Sequence, residues 1–196
     1  MKKILLVFIA IAIISCQKDK EPANPFDAQQ LVEAISTNPD WEEEYSDANI
    51  TKETKFVDEY NGIRTVVTLY PETLDELKVI YNDSLPQELY WDKSGQWTTD
   101  YGKVGDPIEV LEKANEAPIA FYGLGYDLPG KVKADKGILA DKKITYTVRP
   151  TSDMIPAEYY SYDLFDLSST ASKDLKLYIN RIQMEIPKPG TSTAVE

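Results

Sequence analysis

The clearest structural signal in the chain is Lys55-Phe56-Val57-Asp58-Glu59-Tyr60-Asn61-Gly62-Ile63-Arg64-Thr65-Val66-Val67-Thr68-Leu69-Tyr70-Pro71. Asn61-Gly62 is the pair typical of a two-residue hairpin turn, because both central positions of a type I′ turn need positive φ. The segments on either side, 55–60 and 63–70, are rich in the β-branched and aromatic residues that favour strands. The sequence therefore predicts an antiparallel hairpin that ends at Pro71.

This hairpin belongs to a larger predicted sheet. Alternating or short apolar runs predict further strands at 77–81, 119–122, 130–132, 143–148 and 178–186. A helix at 73–81 is the competing interpretation of the first of these runs. Residues 89–91 and 96–98 flank Lys93-Ser94-Gly95 and predict a second hairpin.

Two segments have the periodicity of amphipathic helices. Residues 26–37 place Leu31, Ala34 and Ile35 on one face, and Asn24 precedes them as a candidate N-cap. A helix and a sheet of this kind make an α+β fold, in which an antiparallel β-sheet carries one or two packed helices.

The second predicted helix spans 105–115. Asp106 is its expected N-cap, Pro107 fits the first helical position, and Glu109 would complete a capping box. Its Ile108 and Leu111 are expected to enter the core, with Val110 as a third candidate.

The N-terminus has the three regions of a secretory signal peptide in order. Two lysines precede an uninterrupted apolar run at 4–14, which is too short to cross a bilayer, and Ser15-Cys16 follows it. We expect residues 1–15 to be removed, 16–25 to form a flexible tether, and 26–186 to fold as one domain with a loop insertion at 149–171. Residues 187–196 are expected to be a tail.

Ile13-Ile14-Ser15-Cys16 resembles a bacterial lipobox. The resemblance implies that Cys16 carries a thioether-linked diacylglycerol and an amide-linked acyl chain, an anchor strong enough to hold the protein at a membrane. Residues 17–21 resemble the lipoprotein export signal of Bacteroidetes, apart from Lys20, which replaces an acidic residue. This second resemblance implies lipid anchoring in the outer membrane and display at the cell surface.

Composition narrows the possible functions. The chain has a net charge of −12, and removal of residues 1–15 with their two lysines makes it −12 − 2 = −14. So much negative charge disfavours nucleic acid as a partner. The chain has no histidine, which excludes a Ser-His pair and an imidazole metal site. We predict no cofactor, no metal site and no catalytic residues.

Four segments, 68–76, 95–97, 102–112 and 117–127, resemble a group of exported bacterial proteins that has no assigned activity. The group shares the pattern PxTxDE, GxxxGxxxxEL and NGxPFxFxGFGWD, and the likeness covers residues 66–148. This chain departs from the pattern at Glu116 and Tyr126 and by the insertion after Pro150. The resemblance implies a shared fold.

A shorter resemblance, over 105–118, is to a helix of small outer-membrane assembly lipoproteins, the BamE (SmpA/OmlA) family, and of the β-lactamase-inhibitor-protein fold. It implies a helix layered on a sheet and a protein-binding surface.

Aromatic residues outside the expected core are the candidate binding groups. They are Tyr159, Tyr160 and Tyr162 in the insertion, and Tyr126 beside Asp127 in the glycine-rich bend. Asp127 has a competing role as the cap of an Asx-turn. Gly123-Leu124-Gly125 lacks the third glycine of a dinucleotide-binding loop, so we expect a turn with positive φ.

We therefore expect a membrane-anchored binding module for a protein or a glycan. The first alternative is a hydrolase that uses Glu72, Asp75, Glu76 and Asp127, which requires two carboxyl groups that converge in a cleft. The second is a structural subunit of an outer-membrane complex.

Lipidation at Cys16 is directly testable. The wild-type chain should incorporate labelled palmitate in its bacterial host, and Cys16→Ser should abolish incorporation because the acceptor thiol is lost. Ser15→Ala, which keeps a small residue before the cysteine, should be labelled like the wild type. Mass spectrometry of wild-type protein that finds a free Cys16 thiol would contradict the assignment.

Overall fold

The computed structural model describes residues 24–125, 129–167 and 169–188. Their fold is α+β, as predicted, with a six-stranded antiparallel sheet in the order β1-β2-β3-β4-β9-β7 and a three-stranded sheet in the order β6-β5-β8. The predicted signal peptide, Cys16 and residues 189–196 lie outside the described ranges. No helix within those ranges is long and apolar enough to span a bilayer.

The strands are β1 Thr51–Val57, β2 Gly62–Leu69, β3 Leu77–Asn82, β4 Leu85–Trp91, β5 Ala120–Tyr122, β6 Val132–Lys133, β7 Ile144–Pro150, β8 Leu164–Asp166 and β9 Leu177–Glu185. The helices are α1 Ala28–Thr37, α2 Trp41–Glu44, α3 Ile108–Asn115 and α4 Thr170–Asp174.

The predicted hairpin forms between β1 and β2, but its turn is not type I′. Val57 pairs with Gly62, so four residues, 58–61, connect the strands. Residues 58–60 form a turn of 3₁₀ helix, and only Asn61 has positive φ, at 44°. A four-residue loop built on a helical turn is also a common hairpin connection.

Both predicted helices form, and both N-caps differ from the prediction. Asp27, not Asn24, caps α1 by accepting hydrogen bonds from the backbone N–H groups of Gln29 and Gln30. Asp106 does not cap α3, because its carboxylate accepts the N–H of Lys103 and its backbone pairs with β9.

The third strand is β3 and not the competing helix. β4 follows it through a tight turn at Asp83 and pairs with β3 and β9, so the predicted hairpin between 89–91 and 96–98 is wrong. Instead, the segment 96–98 lies beside the start of α1, where Thr98 bridges to Asp27.

One face of the six-stranded sheet, the core face, packs against α1, α3 and the smaller sheet. Its buried side chains form one cluster that includes Val67, Val79, Leu89, Trp91, Ile182, Leu31, Leu111, Trp97 and Phe121. Trp97 also donates its indole N–H to the carbonyl of Asp75 at 2.7 Å, which ties the 96–98 segment to the sheet.

The segment 149–171 is not simply a loop. It contains the end of β7, a 3₁₀ turn at Ala157–Tyr159, all of β8 and the start of α4. β8 pairs with β5, and Gly123 lies against the same segment. A Cβ atom at Gly123 would lie 2.2 Å from the carbonyl oxygen of Ser161. Glycine is therefore needed here because two backbone segments approach closely, and not because φ is positive.

β9 contains a β-bulge that sets the direction of its side chains. Thr147 pairs with Arg181 and Val148 with Ile179, which leaves Asn180 as the extra residue. The alternating pattern of 178–186 predicts that Asn180 shares a face with Ile182 and Met184, and this prediction is wrong. Ile179 and Ile182 both reach the core, while Asn180 and Arg181 are only half buried.

Substitution of Asn115, a polar residue of the core, should strongly destabilise the fold. Its fully buried amide donates to the carbonyls of Ala117 and Lys136 and accepts the N–H of Leu139. Asn115→Ala leaves all three backbone groups unpaired and should lower the free energy of unfolding by about 2–4 kcal/mol, measured by urea titration. Lys113→Ala on the exposed side of α3 should change it by less than about 0.5 kcal/mol. Equal effects would contradict the assigned role.

Candidate functional site

The face of the six-stranded sheet opposite the core, here called the outer face, is polar but not fully exposed. Val66 and Ile80, which pair across β2 and β3, are buried there. The side chains around them are long and polar, namely Arg64, Lys78, Glu88, Tyr90 and Arg181. Something must therefore cover part of this face.

The tip of the first hairpin, residues 58–61, reaches across this face. Glu59 accepts two hydrogen bonds from Nη2 of Arg181 on β9, at 3.0 and 2.8 Å, although β3 and β4 separate β2 from β9. The guanidinium of Arg181 also lies 3.9 Å from the centroid of the Tyr90 ring. The tip therefore folds back over the sheet, and Arg181 is held by Glu59 of the tip and by Tyr90 of β4.

Beside this contact lies a groove of about 470 Å³, here called the outer-face groove. Its charged lining residues are Glu59, Asp92, Lys131, Arg149 and Arg181. Its other lining residues are Thr145, Thr147, Asn180, Gln183 and Pro129. The groove is thus almost entirely polar.

Strand pairing explains how these residues come together. Lys131 bridges to Thr147, and Thr147 pairs with Arg181, so the three side chains form one row across neighbouring strands. Directly paired residues point to the same face of a sheet. Thr145, Thr147 and Arg149 alternate along β7 with the buried Tyr146 and Val148, which places all three on the outer face.

The bulge supplies the polar wall of the groove. It adds Asn180 next to Arg181 at the point where β9 stops pairing with β4 and takes the segment 105–107 as its new neighbour. Asn180 Oδ1 and Arg181 Nε are both buried, and neither has a hydrogen-bond partner among the described protein atoms. Bulges commonly direct side chains in this way beside binding sites.

The charge of the groove contrasts with that of the chain. Of the described residues, three cations and two anions line it, whereas the whole chain carries −12. Glu59 is paired with Arg181. In the described part of the chain, neither Lys131 nor Arg149 has a carboxylate within ion-pair distance.

A second concavity continues the groove toward α3. The two share Asp92, Arg149 and Asn180, and the continuation adds Lys93 and Tyr178 among its lining residues. An extended ligand could therefore occupy both concavities along β9.

Glu88 lies on the outer face beside this cluster. Burial raises the pKa of Glu88, the proximity of Glu59 adds to the rise, and the hydrogen bond from Gln183 opposes it. One of its carboxylate oxygens, Oε1, has no partner among the described protein atoms. Its other oxygen accepts a hydrogen bond from Gln183, which lines the groove. The described residues contain no group of three or more potential metal ligands.

The sequence-predicted binding residues lie elsewhere. Tyr159 is only 2% exposed and packs against Phe121 and Phe165, so the prediction that it contributes to a binding surface is wrong. Tyr160 and Tyr162 are 50% and 65% exposed, as a surface role requires. Tyr126 and Asp127 lie outside the described residues.

Two carboxylates of the hydrolase alternative, those of Asp75 and Glu76, hold loops in place. Asp75 accepts hydrogen bonds from the backbone and side chain of Gln96. Glu76 forms salt bridges with Lys78 and Lys93, at 3.0 and 2.9 Å, and accepts the N–H of Glu72. Burial opposes ionisation of Glu76, but its bonds with Lys93, Glu72 and Lys78 outweigh it and lower the pKa to about 2. A general acid needs the opposite shift.

No protein-family model matches this chain, and no curated protein sequence matches it significantly. A solved structure similar to it is that of the uncharacterized protein yfeY from Escherichia coli. The two are 14% identical with a TM-score of 0.45, over 76% of this chain and 91% of that chain.

The lowered pKa of Glu76 predicts how the free energy of unfolding depends on pH. Because folding lowers this pKa from 4.5 to about 2, the stabilisation is complete above the unfolded value and is lost as the pH falls toward 2. Glu76→Gln should cost about 1–2 kcal/mol of unfolding free energy at pH 7, after allowance for the partial exposure of both lysines, and almost nothing at pH 2. Glu43→Gln on α2 serves as the control. A cost of Glu76→Gln that does not vary with pH would contradict this account.

Proposed function

We propose that this protein is a lipid-anchored binding module of the outer membrane that holds a glycan in its outer-face groove. The signal peptide, the lipobox-like segment around Cys16 and the export-signal-like residues 17–21 support the anchor and its location. The composition and shape of the groove support the ligand class.

The observation that carries the proposal is the pair of unsatisfied polar atoms, Asn180 Oδ1 and Arg181 Nε, at the wall of the groove. A buried polar atom without a partner costs about 1–3 kcal/mol. Because both residues line the groove, a ligand hydroxyl that reaches these atoms after a small movement of their side chains would supply the missing hydrogen bonds. A sugar offers several hydroxyls at fixed spacing, which suits one acceptor and one donor on adjacent residues.

Binding fits the groove better than hydrolysis does. Of its two carboxylates, Glu59 is held by both of its oxygens on Arg181. Glycoside hydrolysis needs a second carboxyl group that acts as a proton donor across the substrate. Asp92, the other acidic residue of the lining, is exposed to solvent.

A protein-binding surface on the insertion is a second candidate function. Large apolar side chains are exposed there, with Met154 at 88%, Tyr162 at 65%, Tyr160 at 50% and Leu164 at 42%. Exposed aromatic and methionine side chains are enriched at protein interfaces. Such a surface would suit a subunit of an envelope complex, and it would act independently of the groove.

A bulky side chain placed in the outer-face groove should weaken glycan binding. Detergent-solubilised full-length protein should bind at least one oligosaccharide on an array of bacterial and plant glycans, and Thr147→Trp should weaken that binding by about tenfold or more because the indole fills the groove. Thr54→Trp, the same change on the exposed edge strand β1, should bind normally, and circular dichroism should confirm that both variants fold.

Two outcomes would overturn the groove as the site. One is an array on which the wild-type protein binds no glycan. The other is equal binding by the two tryptophan variants. Capture of a protein partner that is lost in a Tyr160→Ser, Tyr162→Ser variant, with no glycan bound, would favour the insertion surface instead.

A further inference from the structure

We propose that the outer-face groove selects acidic saccharides, with the carboxylate of a uronic acid unit bound between Lys131 and Arg149. This inference rests on the proposed glycan-binding function and names its substrate class. Neutral hydroxyls of the same ligand would meet Thr145, Thr147 and Asn180, which line the groove around these two cations.

The two cations are placed to converge. Lys131 lies beside Thr147 on the neighbouring segment, and Arg149 lies two residues further along β7 on the same face. Adjacent strands are about 4.8 Å apart, and alternate residues of a strand are about 6.6 Å apart. Both side chains are longer than these separations, so an ammonium and a guanidinium can reach one carboxylate, the guanidinium in bidentate geometry.

Lys131 and Arg149 stand out because Arg181, the third cation of the groove, is already neutralised by Glu59. With that pair cancelled, Lys131, Arg149 and Asp92 are the remaining charged residues among those of the lining that the structure describes. The balance is positive in a chain whose net charge is −12. The net negative charge of the protein repels anions, so any affinity for an anionic ligand must come from this local arrangement of cations.

The neutral part of the lining favours a saccharide over an acidic peptide. Peptide-binding sites depend on apolar or aromatic anchor pockets. Among the described residues that line this groove, Pro129 is the one apolar residue. Short hydroxyl and amide side chains surround the cations instead. The ring of Tyr178 lies in the continuation beyond Arg149, where a following sugar could pack on it.

The test compares an acidic saccharide with its uncharged methyl ester and with an acidic peptide. Isothermal titration calorimetry on the detergent-solubilised full-length protein would use tetragalacturonate, its fully methyl-esterified form, and tetraglutamate. We expect tetragalacturonate to bind about tenfold or more tightly than its ester, with an affinity that falls as salt rises. Arg149→Gln and Lys131→Gln should each remove most of that preference, whereas Lys142→Gln, on the exposed 140–142 loop, should leave the binding of both ligands unchanged.

The outcomes separate this inference from the proposed function. Equal binding of acid and ester would overturn the acidic selection and leave glycan binding in place. Tetraglutamate binding as tight as that of tetragalacturonate would also overturn it, because the carboxylate alone would then suffice. Binding of other array glycans, with no affinity for either galacturonate ligand, would contradict it as well, while failure to bind any glycan would overturn both proposals.

Discussion

The arrangement of the outer face depends on one extra residue in β9. Without the bulge at Asn180, strict alternation would force either Ile179 or Ile182 out of the core, since three positions separate them. The bulge lets both stay buried and turns Asn180 and Arg181 toward the opposite side. It also coincides with the place where β9 exchanges β4 for the segment 105–107, whose backbone bonds with Ile179 lead directly into α3. The bulge therefore determines both the packing of Ile179 and Ile182 in the core and the polar wall of the groove.

Much of the secondary structure could be predicted from local sequence. The hairpin around Asn61, the strand at 77–81 and the burial of Ile108 and Leu111 in α3 follow from periodicity and residue type, and the structure confirms them. Val110, the third core candidate of α3, is 39% exposed. The errors occur where tertiary contacts outweigh local preference. Asp106 has the sequence position of an N-cap, yet its backbone pairs with β9. Tyr159 lies in a polar, proline-containing segment, yet it fills a space against Phe121.

The groove could not be predicted for a different reason. Lys131, Thr147 and Arg181 are far apart in sequence and become neighbours only through strand order and register. Strict alternation places Arg181 and Gln183 together on one face of β9, which is correct, but assigns Asn180 to the core. The fold-back of the 58–61 tip onto Arg181 has no local signal, because it joins the first hairpin to the ninth strand.

The central claim is that the outer-face groove is the ligand-binding surface of a protein held at a membrane. Backbone amide chemical shifts, followed by NMR while tetragalacturonate is titrated into the detergent-solubilised protein, test it most directly. The account predicts that the largest shifts cluster at residues 145–149, 178–183 and around Lys131. Shifts concentrated at 154–164 in the insertion, with these residues unmoved, would contradict it.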